Sequence, residues 1–235
     1  MKNRIYQFAF ILSFKFAFIG SIESFAQEYS QMFMFQIDGN NYIKKSFDSS
    51  GKLKSFQIFK VGKVVKNLNK YEMDIMSFEF NNAGKMTDSS ITKFICKPSS
   101  NEVLLNILPF ADLNSNKKVE VELITGENIY PTKWEIGEKV KDHSYSLTLK
   151  GGFLSVLGTR SGVKVYDRGI TKKNDDSAAF TLTSKVEIKS YMLGLNINTM
   201  NFFVEEIIDP RKGIISQIFT ESSGDYFTIN LSNSK

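Results

Sequence analysis

The chain has 235 residues, of which 42% are hydrophobic and 13% aromatic, and its formal net charge is +5 at pH 7. This composition can supply a hydrophobic core for one domain and excludes a largely disordered chain. One histidine and one cysteine are present, which excludes an intramolecular disulfide and the usual histidine–cysteine zinc sites. The lysines are scattered among acidic residues, so nucleic acid is not an expected partner.

Residues 1–26 have the parts of a secretory signal peptide. Lys2 and Arg4 give a positive start, an apolar stretch follows, and Ser24-Phe25-Ala26 offers small residues before a cleavage site between Ala26 and Gln27. A buried N-terminal helix is the alternative. We predict that the leader is removed and that residues 27–235 form a single β-rich domain.

The predicted leader implies export to the periplasm or outer envelope of a Gram-negative bacterium. No cysteine lies near the predicted cleavage point, so a lipid anchor at that point is not expected. No other segment is long and apolar enough to span a bilayer, so we expect no membrane span after the leader is removed.

In chain order, apolar runs predict about ten to twelve short strands. The runs lie at residues 32–37, 42–47, 53–65, 72–80, 86–96, 119–123, 145–149, 163–165, 179–189, 202–209, 214–219 and 226–231. Residues 102–108 are predicted as one short helix that stops before Pro109, with a buried strand as the alternative. No helix alternates with the strands, which is typical of an all-β protein.

Three similar turns join these strands. Residues 47–53 (FDSSGKL) resemble residues 80–86 (FNNAGKM), and a looser copy at residues 219–226 (FTESSGDY) closes the series. Asp or Asn can bond the backbone two residues on, and the glycines Gly51, Gly84 and Gly224 can adopt φ > 0. This chemistry is typical of a type I turn with a glycine bulge between antiparallel strands. A phosphate-binding loop would precede a helix, which these turns do not.

Two further turns are predicted from proline and glycine. Asp209-Pro210-Arg211-Lys212-Gly213 separates two apolar runs, and Asp167-Arg168-Gly169 is another turn candidate. The strand at 179–189 alternates most cleanly, with Phe180, Leu182, Val186 and Ile188 on one face. An antiparallel sheet with one wet face gives such alternation. We therefore predict an antiparallel meander of hairpins that forms a strongly curved sheet or open barrel, with at most one short helix.

No catalytic, metal or cofactor site is predicted. His143 follows Asp142, but adjacent strand residues point to opposite faces, so we predict a loop or surface histidine rather than a dyad. The paired carboxylates Glu205-Glu206 and Glu120/Glu122 are interpreted as solvated strand residues. Cys96 is predicted to be a small buried hydrophobic residue. Asp176-Ser177-Ala178 matches a short O-glycosylation pattern, with Ser177 as the acceptor.

The second half of the chain resembles the TapB-like family, exported β-rich proteins of unknown function. The resemblance covers about residues 130–231. It rests on features at Pro131, Gly137–Asp142, Val165–Arg168, Ala178–Phe180 and Gly213–Ile215. It implies an envelope protein without established catalytic residues.

The leading hypothesis is a non-enzymatic envelope protein that binds an apolar molecule or another envelope protein on a curved sheet. One alternative is a structural or assembly factor whose core is filled by its own side chains and which uses a sheet edge or rim. Another is a hydrolase with an unrecognised site. Tyr130 and Trp134, on an irregular connection, are the candidate rim contacts, and core capping is the alternative role for both.

Overall fold

The computed structural model describes residues 37–97, 117–125, 130–131, 134–150, 158–174 and 178–232. The leader with its Ala26–Gln27 site, most of the first predicted strand, the helix predicted at 102–108 and the candidate acceptor Ser177 lie outside these ranges. The strands are β1 (Asn41–Phe47), β2 (Leu53–Val61), β3 (Val65–Asn67), β4 (Lys70–Asn81), β5 (Met86–Cys96), β6 (Lys117–Thr125), β7 (Lys139–Val140), β8 (His143–Lys150), β9 (Arg160–Lys173), β10 (Phe180–Met192), β11 (Leu195–Asp209), β12 (Gly213–Glu221) and β13 (Tyr226–Leu231).

Eleven of these strands form a closed barrel, which confirms the predicted all-β class. Around the ring, the order is β1-β2-β4-β5-β6-β8-β9-β10-β11-β12-β13. The first and last strands close it, with Tyr42 opposite Leu231 and Phe47 opposite Tyr226. The two short strands lie outside the ring, because β3 pairs with β4 and β7 pairs with β9.

One pairing departs from the predicted antiparallel pattern. Strands β5 and β6 run parallel, with Phe94 opposite Val119. Each antiparallel pairing reverses the strand direction, so a closed ring with an odd number of strands needs at least one parallel pair. A parallel pair needs a long crossover connection, and residues 97–116 separate these two strands. The parallel pair is therefore what lets an odd-numbered meander close.

Large side chains point into the interior of this barrel and are buried there. Eight strands enclose a space that side chains just fill, and a wider barrel needs more filling. The largest fully buried side chains are Tyr42, Tyr71, Tyr145, Phe59, Phe94, Phe219, Ile37 and Met73. Ile37 precedes β1 and is buried with the inward residues of the strands. The high aromatic content of the sequence therefore serves the core.

The three similar turns lie together at one end of the barrel, which we call the turn rim. Each turn has the same two backbone hydrogen bonds, such as Gly51 N to Asp48 O at 2.9 Å and Asp48 N to Lys52 O at 3.0 Å. Gly51, Gly84 and Gly224 have φ of +83°, +78° and +87°. The first and last turns touch, because Ser49 N donates to Asp225 Oδ1 at 2.9 Å.

The turn at Gly213 lies at the opposite end of the barrel. Gly213 has a φ of +87°, and Lys212 N donates to Asp209 O at 3.0 Å. At the same end, Trp134 packs against a small apolar cluster of Val140, Ile170, Phe180 and Leu182. This end therefore carries its own layer of apolar packing outside the main core.

We expect Gly84→Ala to lower the free energy of unfolding by about 1–2 kcal/mol. A Cβ at Gly84 would meet nothing within 4 Å, so the loss comes from the positive φ alone. Gly84→Asn should cost less, because asparagine tolerates this region. Urea unfolding of both variants measures the difference. Equal losses for Ala and Asn would contradict a backbone origin.

Candidate functional site

A row of inward side chains, polar on four of its five strands, crosses one side of the barrel interior. The register places Glu206 of β11 opposite Gln217 of β12, and Gln217 opposite Ile229 of β13. The row continues through Lys44 of β1 to Gln57 of β2. The four polar members, Glu206, Gln217, Lys44 and Gln57, are all buried. Such groups are costly to bury unless they are hydrogen-bonded, and Gln217 Nε2 donates to Glu206 Oε1 at 2.6 Å.

Strands β8 and β9 contribute a second set of polar groups to the interior. Arg168 is buried, and its Nη1 donates to the Lys141 carbonyl at 2.7 Å. The guanidinium carbon lies 5.4 Å from the centre of the Tyr130 ring. His143 and Tyr145, successive inward residues of β8, have ring centroids 6.0 Å apart. We call His143, Tyr145, Arg168, Glu206 and Gln217 the buried polar cluster.

A bulge in β9 turns Arg168 into the barrel. The pairing of β9 with β10 shifts register between Thr183 and Lys185, and Asp167 has a φ of +55°. The turn predicted at Asp167-Arg168-Gly169 is therefore wrong, because β9 continues through these residues to Lys173. Bulges re-aim side chains, and here the bulge turns the cation inward while Asp167 stays outside, bonded to Lys185 at 2.8 Å.

Burial sets the protonation preferences of the cluster. It raises the pKa of Glu206, while Arg168 and the Gln217 hydrogen bond act in the opposite direction. Burial, and then the charge of Arg168, lower the pKa of His143 from 6.5 to about 3. Burial, with a smaller effect of Glu206, raises the pKa of Tyr145. His143 is therefore neutral at neutral pH.

Two sequence-based interpretations are wrong. His143 was expected at the surface but is 1% exposed, and Glu206 was expected to be solvated but is also 1% exposed. A signal for both was present in the strand periodicity. His143 has the same parity as Tyr145 and Leu147, and Glu206 has that of Val204 and Ile208, so each lies on the apolar face. At these two positions the strand register, and not the polar identity of the residue, decides the burial.

The remaining candidate residues are Cys96, Tyr130 and Trp134. Cys96 is buried on β5, as predicted, and burial raises the pKa of its thiol to about 12. Tyr130 is 6% exposed, and its ring lies 6.3 Å from that of Trp134, which in turn lies 5.6 Å from Phe180. Tyr130 and Trp134 therefore pack onto the core near the end opposite the turn rim.

A polar groove lies on the outer surface over the parallel β5–β6 pair. Its volume is about 100 Å³. Glu120 lies in it between Lys70 at 3.3 Å and Lys150 at 3.0 Å. The two lysines lower the pKa of Glu120, with the Lys150 hydrogen bond the larger effect. This groove is smaller than the roughly 300–1,000 Å³ of a pocket for a small-molecule ligand, and ion pairs line it.

The buried polar cluster has the groups of an acid–base site but not its access. A general base must lie within hydrogen-bond reach of its substrate, and His143 and Glu206 have almost no exposed surface.

Among the described residues, no three His, Cys, Asp or Glu side chains are grouped so that they could hold a metal ion. Nor does any described helix have the length and apolarity to cross a membrane.

Comparison with known proteins gives structural similarities only. No family model matches the chain, and no curated protein matches it. A crystal structure of a candidate lipoprotein from Parabacteroides distasonis is similar with a TM-score of 0.49 and 16% identity, over 86% of this chain and 97% of that one. A candidate exported protein with a YmcC-like fold from Bacteroides fragilis has a TM-score of 0.46 and 15% identity, over 83% and 94% of the two chains.

Proposed function

We propose that the chain is an exported, non-enzymatic barrel of the bacterial envelope that acts through its outer surface, as a structural or assembly factor. Export is supported by the leader at residues 1–26, with its basic start and its small residues before Gln27. The burial of large side chains inside the barrel supports a surface role. The resemblance to the TapB-like family implies an envelope protein without established catalytic residues, and membership stays a prediction.

Packing of the interior is the observation that carries this proposal. Tyr42, Phe59, Tyr145, Phe219 and Ile229 come from five different strands, and each is 0% exposed. Pockets for small apolar ligands have volumes of roughly 300–1,000 Å³. Side chains that line such a space would show surface to a water-sized sphere. These five side chains therefore line no such space, whereas a scaffold needs only its rims and outer face.

A closed barrel also restricts where a partner can bind. Full closure removes sheet edges, so strand addition along the ring is blocked at the paired strands. The surfaces that stay available are the outer faces, the turns and the projecting hairpins. The hydrolase alternative is weaker for a related reason, since a substrate would have to reach His143 and Glu206 through the barrel wall.

Native mass spectrometry of the protein purified from the cell envelope tests this proposal. We expect one mass that corresponds to a chain beginning at Gln27, with no co-purified lipid after gentle extraction. A bound lipid present in a one-to-one ratio would contradict the filled interior. A mass that retains residues 1–26 would contradict export by leader cleavage. The same protein after unfolding and refolding in detergent-free buffer is the matched control for adventitious lipid.

A further inference from the structure

The hairpin of β10 and β11 projects from the turn rim. Strand β11 begins at Leu195 but pairs with β12 only from Phe202, which lies opposite Glu221. On the other side, β9 begins at Arg160, which lies opposite Tyr191 of β10. Residues 192–195 therefore extend beyond the paired parts of both neighbouring strands.

The end of this hairpin is aliphatic and exposed. Leu193, Leu195 and Ile197 are 70%, 71% and 55% exposed. We call these three residues the apolar tip. Single exposed leucines are ordinary, but a group of exposed aliphatic residues marks a contact surface. Folding of the barrel does not account for them, because none of the three belongs to the buried core.

The backbone at Leu193 is in a conformation that leucine rarely adopts. Leu193 has a φ of +52° and Gly194 a φ of +79°, and Met192 pairs with Leu195 across them. A two-residue turn with both φ values positive favours asparagine or glycine at its first position. Leucine there costs free energy through its Cβ. Strain at an exposed leucine does not stabilise the fold, and at Leu193 it coincides with the further exposed side chains of Leu195 and Ile197.

Aromatic and basic groups lie just below the apolar tip. The Arg160 guanidinium carbon is 5.2 Å from the centre of the Tyr191 ring. The outer faces of β9 and β10 also carry charged residues, among them Arg160, Lys164, Lys185, Lys189, Asp167 and Glu187. Ion pairs join Lys185 to Asp167 at 2.8 Å and Lys189 to Glu187 at 3.0 Å. The surface below the tip is therefore net positive.

We propose that the apolar tip inserts into the surface of a phospholipid bilayer that contains anionic headgroups. Aliphatic residues at the end, an aromatic ring behind them and cations behind the ring match the order of a bilayer interface, in which aromatic and basic groups lie at headgroup depth. Three side chains on a narrow turn offer far less than the roughly 800 Å² per partner of a stable protein interface. The docking rests on the proposed function and deepens it by naming the surface that the barrel meets.

Sedimentation with vesicles tests the docking. The processed protein is mixed with vesicles of phosphatidylethanolamine and phosphatidylglycerol, or of phosphatidylcholine alone. We expect binding to the anionic vesicles and a loss of roughly tenfold in partitioning for Leu195→Ser, because a buried leucine side chain contributes about that factor. Arg160→Gln should weaken binding to anionic vesicles by roughly fivefold and leave binding to phosphatidylcholine unchanged.

A matched pair of variants separates binding from folding. Leu68 is also a leucine at positive φ, with +54°, and it is 89% exposed, but it lies on the turn between β3 and β4, away from the apolar tip. Leu193→Asn and Leu68→Asn should both keep or raise the thermal midpoint, since asparagine tolerates this backbone. Only Leu193→Asn should weaken vesicle binding. Equal effects of the two variants on binding would overturn the assignment to the tip.

Fluorescence quenching gives a direct measure of insertion. The chain has one tryptophan, Trp134, which packs against the apolar cluster at the opposite end of the barrel. Brominated lipids should quench a Leu195→Trp variant and leave the wild-type emission unchanged. If the wild type binds neither vesicle, or binds envelope membranes only when their proteins are present, lipid docking is wrong. Neither result bears on the barrel interior, which native mass spectrometry tests separately.

Discussion

Phe219→Ala is expected to lower the free energy of unfolding by about 3–5 kcal/mol. Phe219 is 0% exposed. Its ring stacks on Phe227 at 4.7 Å and meets the edge of Phe202 at 5.9 Å. Removal of the ring takes away its transfer free energy and leaves a cavity that a closed barrel cannot easily collapse. Urea unfolding at pH 7 measures the loss.

Phe203→Ala is the matched control for this measurement. Phe203 lies opposite Thr220, one residue pair from the Phe219–Val204 pair, but its side chain points outward and is 47% exposed. We expect a loss of at most about 1 kcal/mol, because much of its surface is already in water. A similar loss for the two variants would show that the interior is not packed as the burial indicates, and it would reopen the carrier hypothesis.

Lowering the pH from 7 to 5 should cost the fold about 2 kcal/mol through His143. Burial and Arg168 lower the pKa of His143 from 6.5 to about 3. Below pH 6.5 the unfolded chain takes up a proton that the folded chain does not. Stability is therefore lost as the pH falls from 6.5 toward 3. The chain contains one histidine, so no other imidazole contributes.

Glu206 makes the free energy of unfolding depend on pH in the opposite direction to His143. Burial raises the pKa of Glu206 in the folded state, so the folded chain holds its proton at pH values where the unfolded chain has lost it. The contribution of Glu206 to stability is therefore greatest at low pH and is lost as the pH rises from 4.5 through the raised value. The two residues oppose each other above pH 4.5.

Variants at both positions resolve the two contributions. We expect the stability of His143→Phe relative to the wild type to be about 2 kcal/mol more favourable at pH 5 than at pH 7. Glu206→Gln should show the opposite pH dependence. Because glutamine does not titrate, the stability of this variant relative to the wild type should be greater at higher pH. Its side-chain oxygen can still accept the hydrogen bond from Gln217. Urea unfolding at the two pH values measures both. A pH-independent difference for His143→Phe would mean that the imidazole titrates normally in the folded protein.

Local chemistry in the sequence determined the strands and their turns. Alternation in residues 179–189 predicts which side chains of β10 face inward, and burial follows that pattern. The aspartate or asparagine and glycine pairs, such as Asp48 and Gly51, predict hairpin turns because their requirements are local to the backbone. The same periodicity places His143 and Glu206 on apolar faces, although polar side chains are more common at the surface.

The tertiary structure alone decided how the strands close and what they enclose. Pairing of β1 with β13 joins residues near opposite ends of the described chain, and no local pattern specifies such a contact. The parallel β5–β6 pair follows from closing an odd number of strands. The buried polar cluster also depends on closure, because Arg168 and Glu206 come from strands separated by β10 around the ring. Sequence periodicity gives the face of a residue, whereas only the closed barrel determines which residues meet across it.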